Sequence, residues 1–104
     1  MPEIKTITPE EVKTQLENGE TLQLIDVRED DEVALGMVPE AVHIKMGEIP
    51  NHLENLNKET PYIIICRSGG RSGRVAEYLD DLGYDVTNMV GGMLEWTGET
   101  KQKL

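Results

Sequence analysis

Between Pro61 and Gly83 the chain changes pattern twice, and that limits its possible folds more than any other feature. Tyr62-Ile63-Ile64-Ile65-Cys66 is the longest apolar run. It is the strongest strand signal in the chain and far short of the ~20 residues that a membrane span needs. Cys66-Arg67-Ser68-Gly69-Gly70-Arg71 is a loop by composition. From Ser72 the pattern is helical, with Val75, Leu79 and Leu82 on one face and Gly83 as the stop. A strand, a short loop and a helix in this order place Cys66 at the carboxyl end of a strand, where open α/β sheets bind their ligands.

The rest of the chain repeats that alternation. Ile4 and Ile7 suit a short edge strand. Thr8-Pro9-Glu10-Glu11 then starts a helix with three signals: Thr8 as cap, Pro9 at the first helical position and Glu11 completing a capping box. Val12 and Leu16 share its inner face, and Gly19 ends it. Leu22 to Val27 reads as a strand buried on both faces. Asp30 to Leu35 reads as a short helix ended by Gly36, with Glu29-Asp30-Asp31-Glu32 as a solvated, helix-starting face. Val42-His43-Ile44 is a strand, Ile49, Leu53 and Leu56 lie at helical spacing from a start near Gly47, and Val86 begins the last strand. Val90-Gly91-Gly92 breaks that strand, Met93 to Trp96 forms a helical turn with Trp96 as core packing, and Glu99 to Leu104 is a polar tail. Alternating strands and helices predict an α/β, three-layer fold, a mainly parallel five-stranded sheet flanked by helices.

At 104 residues the chain has the size of one domain, expected to run over 1–104 with its core at about 2–98. The start of the chain has no basic stretch followed by an apolar one, so no secretory signal is expected. The net charge is −10, from 10 basic and 20 acidic residues. Nucleic acid and anionic membrane surfaces are therefore disfavoured as partners, since both call for a basic face. A single cysteine excludes an internal disulfide and a cysteine-based zinc site, and suits the reducing cytoplasm.

Charge distribution says more than its total. Thr60 to Ala76 contains no acid, three of the four arginines (Arg67, Arg71 and Arg74) and the only cysteine, so this window is +3 and the remainder −13. Chance clustering is the plain alternative; a positive island at a strand end suits a small anion. Gly69 and Gly70 let successive backbone N–H groups face one concavity, and the following helix adds its unpaired amides. Cys66 at the mouth of such a cradle should be held as thiolate, and Arg67 and Arg71 add fixed charge. The chemistry that fits is a nucleophilic sulfur acting on an oxyanion. Phosphate is disfavoured: the cysteine-dependent phosphatases need arginine six positions after the cysteine, where this chain has Ser72, with Arg71 one position earlier.

The loop Cys66-Arg67-Ser68-Gly69-Gly70-Arg71-Ser72 resembles the active loop of the rhodanese family of sulfurtransferases. Leu24-Ile25-Asp26-Val27-Arg28 resembles the family's early Asp-Val-Arg strand, Gly36 to Ala41 its Gly-His-Ile-Pro-Gly-Ala segment, and Gly91 to Trp96 its Gly-Gly-x-x-x-Trp block. Met37 and Glu40 depart from that pattern, outside the loop. The resemblance implies that Cys66 takes the sulfane sulfur of an anionic donor such as thiosulfate as a persulfide. A thiol, a protein or, in vitro, cyanide then accepts it. It also implies that the amides of Arg67, Ser68, Gly69, Gly70 and Arg71 cradle the persulfide, that Arg67 and Arg71 attract the donor, and that no metal or organic cofactor takes part. Ser72, Asp26 and Arg28 are supporting residues, the last two chiefly as a structural ion pair. A persulfide carrier with a dedicated protein partner is the first alternative, and a phosphatase or arsenate reductase the second. His43 and His52 belong to no acid–base or metal pattern, and Arg74 is open between an exposed side chain and a site residue.

Overall fold

The computed structural model describes residues 4–103. Its sheet contains β1 (Lys5–Ile7), β2 (Gln23–Asp26), β3 (Ala41–His43), β4 (Tyr62–Ile65) and β5 (Val86–Met89), in the order β1-β5-β4-β2-β3. Every pairing is parallel. The apolar run Tyr62 to Ile65 thus lies at the centre, with Ile64 opposite Ile25 on one side and Asn88 on the other. The sheet and its flanking helices match the expected three-layer architecture.

The inner strands β2, β4 and β5 divide their side chains between two cores, as the two-residue period requires. Ile25, Val27, Ile64 and Cys66 pack with Val75, Ala76 and Leu79 of α3 (Gly70–Asp81). Leu24, Ile65 and Met89 pack on the opposite face with Val12 of α1 (Pro9–Glu17) and Val33 of α2 (Asp30–Leu35). The start of α1 follows its local code: the Thr8 hydroxyl accepts from the Glu11 amide at 3.1 Å, and the Thr8 amide donates to the Glu11 carboxylate at 3.0 Å.

Four expectations shift. The segment from Met46 to Asn55 is a 3-10 helix; Pro50 lies within it, and in an α-helix its ring would clash with the Met46 carbonyl four residues earlier. The helix expected from Ser72 starts at Gly70. Leu82, expected on its buried face, is exposed, because the helix ends at Asp81 and the chain tightens there, with the Leu82 amide bonded to the Leu79 carbonyl. Residues 99–103 of the polar tail are exposed but held, since Lys101 and Met37 exchange two backbone hydrogen bonds of 2.8 Å; Leu104 lies outside the described residues.

Candidate active site

Cys66 follows β4 directly, and its side chain is 1% exposed. The chain then turns sharply through Gly69, the cap of α3, whose φ of 102° is costly for any residue with a Cβ. That turn aims the Gly69 amide at Sγ, 3.0 Å away. The Ser72 hydroxyl, one turn into α3 and fully buried, lies 3.3 Å from the same sulfur. Burial pushes the Cys66 thiol up, but the Ser72 hydroxyl and the amides of Ser72, Gly69 and Ser68 outweigh it, and the thiol ends below its ordinary value. The expected direction holds, and its largest favourable causes are neutral donors at contact distance.

A second segment supports the loop from outside. The amides of Met93 and Leu94, on a short 3-10 turn (Gly92–Glu95), donate to the carbonyls of Cys66 and Arg67 at 2.9 and 3.0 Å. Gly92 has a φ of 57°, and a Cβ there would lie 2.5 Å from the Arg67 and Cys66 carbonyl oxygens. Gly92 is therefore what lets the two backbones touch.

The arginines separate. The Arg71 guanidinium is bonded through both nitrogens to the Glu32 carboxylate of α2, at 2.7 and 2.8 Å. Glu29, Asp30 and Asp31 are exposed at a helix start as expected, but Glu32 departs from the reading of a solvated face: it is half-buried and bonded to Arg71. Arg71 holds the Glu32 carboxyl at about 2, well below its usual range, although burial opposes this. Arg67 is exposed and has no ion pair among the described residues. Arg74 is exposed one turn into α3.

Asp26 and Arg28 form a buried bidentate pair, with Nε to Oδ1 at 3.0 Å and Nη2 to Oδ2 at 2.8 Å. The same Nη2 reaches the Gly36 carbonyl at 2.8 Å, which ties the end of β2 to the end of α2 and so steadies Glu32. Among the described residues neither side chain hydrogen-bonds the Cys66 loop. His43 bonds the Arg28 carbonyl through Nε2 at 2.6 Å, and Trp96 packs against the second core with Nε1 on the Glu99 carbonyl. Beside the loop opens a cleft of about 350 Å³ lined by Arg28, Glu32, Arg67, Leu35, Leu94 and Trp96.

Two residues escape sequence reasoning. Glu32 is hidden because it also completes a capping box at the start of α2. Asn88 is a polar residue in an otherwise apolar strand stretch, a signal that could have marked it; it is buried and bonded to both Ser72 and Gly69.

A central parallel strand that delivers a buried cysteine into a tight strand-to-helix turn, with the Gly69 amide and the Ser72 hydroxyl facing its sulfur, is the centre of this α/β domain. A model of the rhodanese-like domain matches residues 8–99, and the chain belongs to that family. The Bacillus subtilis (strain 168) protein named "Putative sulfurtransferase YtwF" is 54% identical over 101 residues, which is 97% of this chain and 98% of that protein. A sulfurtransferase of Allochromatium vinosum is 35% identical over 94 residues, 89% of this chain and 88% of its own length. The crystal structure of a rhodanese-like domain protein from Staphylococcus aureus superposes with a TM-score of 0.90 at 41% identity, covering 97% of this chain and all of that one.

Proposed function

We propose that this chain is a sulfurtransferase that moves sulfane sulfur through a Cys66 persulfide, in the cytoplasm. The observation that carries the reading is the geometry at Sγ: a buried sulfur facing the Gly69 amide at 3.0 Å and the Ser72 hydroxyl at 3.3 Å, in a loop too short for a phosphatase. In the forward step the Cys66 thiolate attacks the outer sulfur of a donor such as thiosulfate. A new S–S bond forms, the donor's S–S bond breaks, and sulfite leaves with the electron pair. The loop amides stabilise the anionic persulfide as they do the thiolate. A nucleophilic acceptor, a thiol or cyanide, then attacks the outer sulfur and returns Cys66 to thiolate. Arg67, exposed at the cleft, is the guanidinium available to draw in an anionic donor, while Arg71 does so less than its sequence position suggests because Glu32 already occupies its fork.

A second reading has one observation in its favour. The cleft of about 350 Å³ beside the loop falls in the range of drug-sized ligand sites, roomier than a thiosulfate ion requires, and is rimmed by Leu35 and Leu94, 84% and 64% exposed. Such a cleft suits the thiol-bearing segment of a protein acceptor, which would make the chain a persulfide carrier with a dedicated partner.

Intact-mass measurement decides the core of this. After incubation with excess thiosulfate and its removal, the native chain should gain one sulfur atom, lost again on adding cyanide, and Cys66→Ala should gain none. An adduct on Cys66→Ala, or aryl phosphate hydrolysis as fast as sulfur transfer, would overturn the reading. Turnover with small donors and acceptors supports the enzyme; transfer only to one protein supports the carrier.

A further inference from the structure

β5 brings one polar side chain to the back of the cysteine loop, Asn88, 9% exposed. A buried carboxamide needs partners for both its ends. Here the nitrogen Nδ2 donates to the Gly69 carbonyl at 3.1 Å. That contact fixes the sense of the amide, because only its nitrogen end can face a carbonyl, and so Oδ1 is the atom that meets the Ser72 hydroxyl, 2.5 Å away. Room for the arrangement comes from Gly73, where a Cβ would stand 3.3 Å from Asn88 Nδ2. Gly69 and Ser72 are the residues whose amide and hydroxyl face Cys66 Sγ at 3.0 and 3.3 Å. One side chain therefore grips both donors from behind.

The proton count makes this more than support. A serine hydroxyl has one proton, and the Ser72 oxygen touches two atoms that could take it. While Cys66 is a thiol, its S–H donates to the Ser72 oxygen and the Ser72 proton rests on Asn88 Oδ1. Once Cys66 is ionised, a full negative charge competes with a neutral amide oxygen for that proton, and the hydroxyl turns to the sulfur. Only the hydroxyl rotates; no heavy atom has to move.

We propose that Asn88 is a positioning residue for sulfur transfer: it aims the Gly69 amide and the Ser72 hydroxyl at Cys66, and it parks the hydroxyl proton whenever the sulfur does not need it. The proposal deepens the sulfurtransferase reading and rests on Cys66 being the sulfur carrier. The charged groups around the loop are Arg67 within it, Arg71 on α3 with Glu32 on α2, and the Asp26–Arg28 pair at the end of β2. All five are retained in the variants below.

Asn88→Asp keeps the shape and reverses the logic. A carboxylate cannot donate to the Gly69 carbonyl, and it holds the Ser72 proton permanently. The rate of Cys66 alkylation by iodoacetamide is measured against pH, with persulfide formation from thiosulfate measured beside it. Asn88→Asp should raise the alkylation midpoint by about one pH unit or more, the size expected of a charge or hydrogen bond at contact distance. Ser72→Ala should raise it by roughly half a unit or more, and the double variant by less than the sum, because a carboxylate without a hydroxyl to capture loses part of its effect. Because the new carboxylate also repels the thiolate directly, the double variant is the discriminating readout: a merely structural role for Asn88 would give shifts that add.

A midpoint unmoved by Asn88→Asp, or shifts that add fully in the double variant, overturns the proposal. If Asn88→Asp does not fold, Ser72→Ala decides alone, since an unmoved midpoint there leaves Asn88 no hydroxyl to aim. A native chain that alkylates as described but never forms a persulfide refutes the sulfurtransferase reading instead, and the two failures are told apart.

Discussion

Glu32→Gln removes the anionic half of the contact that holds Arg71 while nearly preserving the side chain's size. The Glu32 carboxyl titrates at about 2 against an ordinary 4.5. At about 1.4 kcal/mol for each pH unit this corresponds to roughly 3 kcal/mol. The partners are 24% and 33% exposed, so solvent screens part of that, and about 1–2 kcal/mol is the expected cost. In a domain of this size each kcal/mol moves the thermal midpoint by about 4–8 °C. The pH dependence carries the sharper test. A carboxyl whose folded value lies below its unfolded value stabilises the fold fully above the unfolded value and ceases to do so as pH falls through the folded one. The native chain should thus lose this contribution between about pH 5 and pH 2, whereas Glu32→Gln has none to lose. Urea unfolding followed by Trp96 fluorescence at pH 7, 4.5 and 3 measures both, and the stability difference between the two chains should shrink by about half or more by pH 3. A difference below about 0.3 kcal/mol at pH 7, or one that stays constant to pH 3, would refute the reasoning and make the pair an idle surface contact.

Gly92→Ala places a methyl group 2.5 Å from the Cys66 and Arg67 carbonyl oxygens at a positive φ, and should cost at least about 2 kcal/mol in urea unfolding while slowing Cys66 alkylation at neutral pH. Arg28→Met leaves the fully buried Asp26 carboxylate without its partner and should cost about 3–5 kcal/mol. Adding Asp26→Leu should recover much of that loss, which calorimetry on the single and double variants checks.

What was legible in the sequence was whatever depends on neighbours along the chain. The Thr8–Glu11 capping box and the central strand at Tyr62 stand where local pattern puts them, and the loop opens at Cys66 as expected, although α3 takes over already at Gly70. Pro50 altered the helix type for a reason equally local, but helical spacing alone does not reveal it. Glu32 and Asn88 were not legible, because their partners lie 39 and 16 residues away in the chain and become neighbours only when β2, β4 and β5 align. A glutamate beside three other acids looks like solvated charge until a guanidinium from another layer arrives. Leu82 fits the apolar face by spacing, and the early end of α3 turns it outward.

The positive island that first drew attention to residues 60–76 contributes less to the sulfur than its charge suggests. Of its three guanidinium groups, Arg71 is paired with Glu32, Arg74 faces solvent, and Arg67 stands exposed at the rim. Fixed charge at an exposed rim is screened beyond roughly 8 Å at physiological salt. The amides and hydroxyl that lower the Cys66 thiol act at 3.0–3.3 Å inside the fold, where screening ions do not reach. Their effect depends on direction, and direction is what the surroundings maintain: Glu32 grips Arg71 from α2, the Gly92 turn presses on the loop carbonyls, and Asn88 holds Gly69 and Ser72 from β5. Arginine in this loop therefore has two separable physical uses. Under the proposed function Arg67 meets a donor's charge at the rim, while Arg71, bonded through both nitrogens to Glu32, ties α3 to a helix 39 residues earlier in the chain.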